Sequence, residues 1–226
     1  MLFDLDGTFA DTAPDMTAAL NRLLARYDRP PVALEQARCH VSSGSRGLLA
    51  VGFGIGPDAP EYMRLRDEYL GIYAADICRE TRLFPGVEAL VDALEGRGWC
   101  WGIVTNKPGW LTDPLLETMA LPRPPACIVS GDTAARAKPH PDPLLHACEL
   151  IERDPRSSWY IGDDERDIVA GRAAGMRTLA ALYGYLGVEA PPHDWGADGL
   201  LEHPMELLDF LDSASATKEQ ALAPGR

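Results

Sequence analysis

The chain has 226 residues, enough for one large or two unequal domains that each bury a core. Its composition, 46% hydrophobic and 24% charged, is that of a globular protein. A net charge of −13 excludes sequence-independent binding to DNA, RNA or anionic lipid, which needs a dense basic footprint, so an anionic ligand must be held by a local site that overcomes the overall field.

In chain order, Leu2-Phe3 is a short apolar segment that runs into Asp4-Leu5-Asp6-Gly7-Thr8. Residues 13–82 then show helical periods, first Met16, Leu20, Leu23 and Leu24, later Tyr62, Leu65, Tyr69, Leu70 and Tyr73. Between these periods lies a Gly/Ser-rich bend at 42–47, and no clear strand, so the stretch reads as a separate, mostly helical insertion. Val87, Leu90, Val91 and Leu94 predict a helix opened by Pro85-Gly86 and closed at Gly96 or Gly98. The apolar run 99–104 leads into Thr105-Asn106-Lys107-Pro108, and Ile128-Val129 leads into Ser130-Gly131-Asp132. A helix through Leu144, Leu145, Cys148 and Ile151 follows, and then the strand 159–162 runs into Asp163-Asp164. A helix over 167–174 closes at Gly175, the run 178–183 ends at Gly184, and 199–201 is a weaker last strand. Residues 213–226 are small and polar and are expected to be disordered.

Short, uniformly apolar strands alternating with helices predict an α/β doubly wound (Rossmann-like) parallel sheet, with 1–12 and 83–212 as the core and 13–82 as an inserted helical domain. In such sheets ligands sit beyond the carboxyl ends of the strands, where all the polar clusters fall. No apolar run approaches the roughly 18 residues of a membrane span, and the first residues carry no signal region, so the expected location is cytoplasmic. Five cysteines, 21 to 39 residues apart with no C-x-x-C pair, read as small buried hydrophobes.

Asp4 and Asp6 stand two apart at a strand end, so alternation places both carboxylates on one side, and Gly7 lets the backbone leave sharply. Such a pair either holds a hard divalent ion such as Mg²⁺ or divides into a nucleophile and a proton donor; a turn capped by aspartate has the same local pattern. Asp163 and Asp167 are spaced i, i+4 and can share an ion if a helix begins there, although acidic residues also cap helix N-termini. Capping would need one carboxylate, whereas Asp163, Asp164 and Asp167 supply three. Thr105 with the adjacent backbone N–H groups can hold phosphate oxygens. Lys138 is one of only three lysines in the chain, a compact point charge placed between a strand and a helix. Acid-x-acid, Thr, Lys and an acidic cluster, each after its own strand, suit phosphoryl transfer, where accelerations up to about 10²¹-fold demand positioning and charge neutralisation together.

In order, D-L-D-G-T at 4–8, I-V-T-N-K at 103–107, K-P-x-P at 138–141 and G-D-D-x-x-D at 162–167 resemble the four motifs of the haloacid dehalogenase superfamily. The resemblance implies that Asp4 is the nucleophile forming an aspartyl phosphate and that Asp6 protonates the leaving oxygen and later activates water. It also implies that Thr105 and Asn106 hold the phosphoryl group, with Gly7 a further substrate-binding residue, and that Lys138 neutralises it. Mg²⁺ would lie between Asp4, the Asp6 backbone carbonyl and Asp163, supported by Asp167 or Asp164, and the insertion would be a helical cap closing over the substrate. Asp6 disfavours dehalogenases, which lack it, and transporting ATPases, which carry threonine there; the absence of lysine from 13–82 disfavours the phosphonate-cleaving branch.

Phosphomonoesterases and hexose-phosphate mutases remain, and a phospho-accepting signalling domain is a more distant alternative that motif order and the insertion weigh against. The run from Gly162 through 174–178, with Tyr183-Gly-Tyr185 and Trp195-Gly-Ala-Asp198, is similar to the bacterial phosphoglycolate phosphatase group, above all to members acting on N-acetylmuramic acid 6-phosphate in cell-wall recycling. In the insertion, Arg46 could pair with a substrate carboxylate, or equally belong to a helix-capping bend. Only three residues precede Asp4, fewer than the family usually has, which raises the expectation of a start upstream of Met1; Phe9-Ala10 replace two aliphatic residues.

Overall fold

A computed structural model describes residues 1–121, 123–188 and 190–222, with side chains through Ala214. Its elements are β1 (Leu2–Phe3), β2 (Ala10–Asp11), α1 (Ala13–Arg26), α2 (Leu34–Val41), α3 (Gly44–Phe53), α4 (Tyr62–Ala74), β3 (Arg82–Leu83), α5 (Val87–Gly96) and β4 (Gly102–Val104). There follow α6 (Gly109–Met119), β5 (Ile128–Val129), α7 (Asp142–Leu150), β6 (Trp159–Gly162), α8 (Glu165–Ala173), β7 (Arg177–Ala181), β8 (Gly199–Leu201) and α9 (Leu207–Leu222). Among the described residues, six strands form a parallel sheet in the order β5-β4-β1-β6-β7-β8. The chain builds outward from β1 on one side, crosses, and builds outward on the other, so β1 lies at the switch point where such sheets open a crevice. This is the doubly wound α/β arrangement that the apolar strands predict.

Both faces of the sheet are covered, which explains the unbroken apolar character of the strands: Leu2 packs on one side with Val104, Tyr160 and Leu144, while Phe3, Ile103 and Ile161 pack on the other. The strand β4 is shorter than the apolar run because the chain joins the sheet only at Gly102, whose N–H donates to Met1 O. Among the cysteines, all free, Cys127 and Cys148 are buried; the other three are half-buried.

Between β2 and β3, which pair antiparallel, stand α1 to α4. The spacing that predicted helices here is the buried face: Met16, Leu20, Leu23 and Leu24 on α1 pack with Leu65, Tyr69 and Tyr73 on α4, each fully buried leucine contributing about 1.5–3 kcal/mol. Residues 44–47, expected in a bend, belong instead to α3; burial of Leu48, Leu49 and Phe53 outweighs the weak propensity of Gly44 and Gly47, and only Ser42-Ser43 turn. In the 213–226 tail, expected to be disordered, α9 continues to Leu222. Its start is docked by the buried Leu207 and Leu211, and Ala, Lys, Glu, Gln and Leu propagate a helix well; 223–226 lie outside the described residues. Among the described residues no helix is long and apolar enough to cross a membrane.

Candidate active site

Register brings the motifs together. Leu2 lies opposite Gly102 and Tyr160, and Phe3 opposite Ile103 and Ile161, so the residues that follow these strands, Asp4, Thr105 and Asp163, leave the sheet at one edge. Gly7 then turns at φ +90, its N–H donating to Ala10 O at 3.0 Å. A Cβ at Gly7 would stand 2.1 Å from Asp163 Oδ2, and one at Gly184 2.3 Å from Asp163 Cβ, so two glycines make room for one carboxylate. The Gly7 amide is thus engaged within its own turn, and the residue serves the site by its lack of a side chain.

Lys138 is the hub. Its buried ammonium donates to Asp167 Oδ1 and the Tyr160 hydroxyl at 2.7 Å and to Val104 O at 3.1 Å, and lies 2.9 Å from Asp4 Oδ1. Burial works to lower its pKa, but the charges of Asp167 and Asp4 outweigh burial and leave it raised. For Asp4, burial dominates and pushes the carboxyl up to about 7 against the pull of Lys138. Asp163 is raised well above the usual carboxylate range by burial and then by Asp4 and Asp167, although it accepts from Thr8 at 3.0 Å, the Tyr185 N–H at 2.9 Å and Ser42 at 3.2 Å.

Asp4, Asp163 and Asp167 each place a carboxylate oxygen within 4.8 Å of the others. Asp4 Oδ1 is buried and receives no directed hydrogen bond, the lysine being a charge contact at that atom. One ammonium against three crowded carboxylates leaves negative charge over, and an all-oxygen donor set fits a hard divalent cation. Asp4 and Asp163 are the members best placed to hold it. Asp167 already has both oxygens engaged, by Lys138 and Tyr160 on one and by the Asp164 N–H on the other. Asp164 caps α8 and pairs with Arg166 at 2.7 Å, so in the resting structure it serves the helix.

The Asp6 carboxylate stands apart from this cluster, accepting from the Thr12 hydroxyl at 2.6 Å and from Lys107 Nζ at 3.0 Å, which leaves its backbone carbonyl as the group to consider for a cation. Thr105 is buried, its oxygen accepting from the Lys107 N–H at 3.1 Å. The Asn106 side chain clasps the backbone of Lys138, donating to its carbonyl at 2.9 Å and accepting from its N–H at 3.0 Å, so it sets the lysine's place. These groups open into a cavity of about 230 Å³ walled on the other side by α1, α3 and α4. Arg46 lines it and is exposed, with no ion pair or hydrogen bond among the described residues; Arg66 and Arg166 line it too. Thus Asp4, Asp6, Thr105, Asn106 and Arg46 share the cavity, while Lys138, Asp163 and Asp167 stand behind Asp4.

Sequence reasoning missed several participants. Lys107 was in plain view beside Thr105-Asn106, and the rarity of lysine that marked Lys138 marks it equally. Tyr160, in an otherwise apolar strand, and Thr8, beside the first motif, carried weak signals. Ser42, in the bend, and Tyr185, in the Tyr183-Gly-Tyr185 segment, stood in segments already marked, but nothing tied them to Asp163, from which 121 and 22 residues separate them.

A family model described as haloacid dehalogenase-like hydrolase matches residues 1–181. Over 214 residues, covering 95% of both chains, the sequence is 42% identical to an N-acetylmuramic acid 6-phosphate phosphatase from Pseudomonas aeruginosa. It is 45% identical over 207 residues to a phosphoglycolate phosphatase from Xanthomonas campestris, covering 92% of this chain and 93% of that one. Among solved structures, a predicted phosphoglycolate phosphatase from Haemophilus somnus superposes with a TM-score of 0.81 over 93% of this chain and 96% of its own; at 24% identity this likeness speaks to the fold.

Proposed function

The chain belongs to the haloacid dehalogenase-like hydrolase family, and from that premise we propose that it hydrolyses the phosphomonoester of a small metabolite through an aspartyl phosphate on Asp4. The observation that carries this reading is the meeting of Asp4, Asp163 and Lys138 at one sheet edge, beside a cavity that Asp6 and Thr105 also line. Asp4 and Asp163, with the Asp6 carbonyl, would hold Mg²⁺, which when bound neutralises phosphoryl charge. Asp4 attacks phosphorus; the bond to the leaving oxygen breaks, and that oxygen takes a proton from Asp6, which enters this step as the neutral acid. Asp6, now a carboxylate, accepts a proton from the water that attacks the aspartyl phosphate, releasing inorganic phosphate and restoring both residues. Lys138 and the Thr105 region hold the charged phosphoryl group, and Lys107 and Thr12 orient Asp6.

The names of the relatives supply two candidate substrates, N-acetylmuramic acid 6-phosphate and 2-phosphoglycolate. We favour the sugar phosphate. The cavity of about 230 Å³ is larger than glycolate requires, and it sets Arg46 and Arg66 beside apolar Met16, Leu70 and Leu111, walls suited to a substrate with a carboxylate and methyl groups. Comparing kcat/KM across a panel of phosphomonoesters with Mg²⁺ tests the reading, with N-acetylmuramic acid 6-phosphate expected to lead. A higher value for 2-phosphoglycolate would reassign the substrate, and phosphate release from no member would refute the activity.

A further inference from the structure

Among the described residues three buried side-chain oxygens lack a hydrogen-bond partner: Asp4 Oδ1, Thr17 Oγ1 and the Tyr73 hydroxyl. Asp4 and Tyr73 line the same cavity; Thr17 does not. Phosphoryl chemistry accounts for Asp4, but nothing so far accounts for Tyr73. It stands at the end of α4, 1% exposed, with its ring held from two sides. Tyr69 stacks on it at 6.4 Å between centroids, and the Lys107 ammonium lies 4.9 Å from its centroid. The hydroxyl of Tyr69 reaches Met16 O at 3.4 Å; that of Tyr73 reaches nothing. A buried phenol left unpaired is costly, and native proteins rarely keep one unless a ligand or water completes it.

Position indicates which part of a ligand that would be. Lys107 touches both the face of Tyr73 and the carboxylate of Asp6, the group that would protonate the leaving oxygen. Tyr73 therefore borders the leaving group, next to the Lys107–Asp6 pair. Resting on the phosphatase reading above, we propose that the Tyr73 hydroxyl donates a hydrogen bond to an oxygen of the leaving group near the ester carbon, such as a ring or hydroxyl oxygen of a sugar phosphate. The helical insertion would then read substrate chemistry through one phenol. Burial, with Asp6 nearby, holds that phenol well above its ordinary pKa, so it remains a donor throughout the neutral range.

The test is selectivity in Tyr73→Phe, which keeps the ring and removes only the oxygen. The readout is the ratio of kcat/KM for N-acetylmuramic acid 6-phosphate to kcat/KM for p-nitrophenyl phosphate, whose leaving group has no oxygen beside the ester carbon. The expected result is a fall of about tenfold in this ratio, mainly through KM for the sugar phosphate. The same comparison as binding, sugar phosphate against inorganic phosphate in an Asp4→Asn background, reads the contact without turnover and is expected to shift equally. An unchanged ratio in both formats overturns the role of Tyr73 and leaves the phosphatase reading intact. Failure of the unmutated enzyme to hydrolyse any phosphomonoester overturns both.

Discussion

Lys138 and Asp4 are in contact, yet their replacement should have opposite effects on stability. The lysine is the one ammonium among three crowded carboxylates, and Lys138→Met would leave the buried Asp167 and the partly buried Asp4 without it. Breaking a buried pair from one side costs about 3–5 kcal/mol, so urea denaturation of Lys138→Met should show a loss of that order, together with loss of turnover. Asp4→Asn removes a charge that burial already disfavours, as its upward shift to about 7 indicates. It should fold at least as stably as the parent while kcat falls by about 10³-fold or more, read by phosphate release. Retained hydrolysis in Asp4→Asn would remove it as the nucleophile.

At the scale of elements, the question is how the helical insertion is tied to the sheet. The Tyr185 hydroxyl accepts from the Thr12 and Ala13 N–H groups, at 2.7 and 2.9 Å, capping α1, and donates to Asp11 Oδ1, while the two terminal nitrogens of Arg38 on α2 donate one to each Asp11 oxygen. Its own N–H holds Asp163, so one residue links the root of the insertion to the acidic cluster. Tyr185→Phe would leave two buried N–H groups unpaired and should cost about 1–3 kcal/mol in denaturant titration. At the other root, Asp15 on α1 is buried and accepts from the N–H groups of Arg79, Glu80 and Thr81 and the Thr81 hydroxyl. Asp15→Ala should destabilise by about 2–3 kcal/mol, and a change within 0.5 kcal/mol would show that water replaces those bonds. None of this was legible, because each tie joins segments with no periodic relation to one another. The helix α6 escaped notice for a different reason: Trp110 is exposed and Pro114 sits within it, so its apolar period is blurred.

Over the whole molecule, the charge of −13 and an anionic substrate are reconciled by location. Of the charged residues lining the cavity, Arg46, Arg66, Lys107 and Arg166 are cationic and only Asp4 and Asp6 acidic, so its wall runs against the overall charge, while the excess carboxylate charge behind Asp4 is left for a bound cation to neutralise. The cluster behind Asp4 makes a further prediction about the intact protein. A cation that binds only the folded state stabilises it by about 2.7 kcal/mol at a hundredfold excess over its Kd, about 5–10 °C in Tm for a chain of this size. Millimolar Mg²⁺ should therefore raise Tm, and Asp163→Asn should abolish the rise; an equal shift in the variant would place the ion elsewhere.

Some of this was decided by local order in the chain. Apolar runs ending in Asp4, Thr105 and Asp163 dictate parallel strands with polar ends, since covered strands must be apolar throughout and backbone leaving a sheet must meet solvent or ligand. Lys138, too, stood out by scarcity alone. Only the tertiary structure decided that Asp167 would serve Lys138, that Asn106 would clasp the lysine's backbone and that Ser42 would reach Asp163. These depend on distances between segments far apart in the chain, which side-chain periodicity within each segment does not encode.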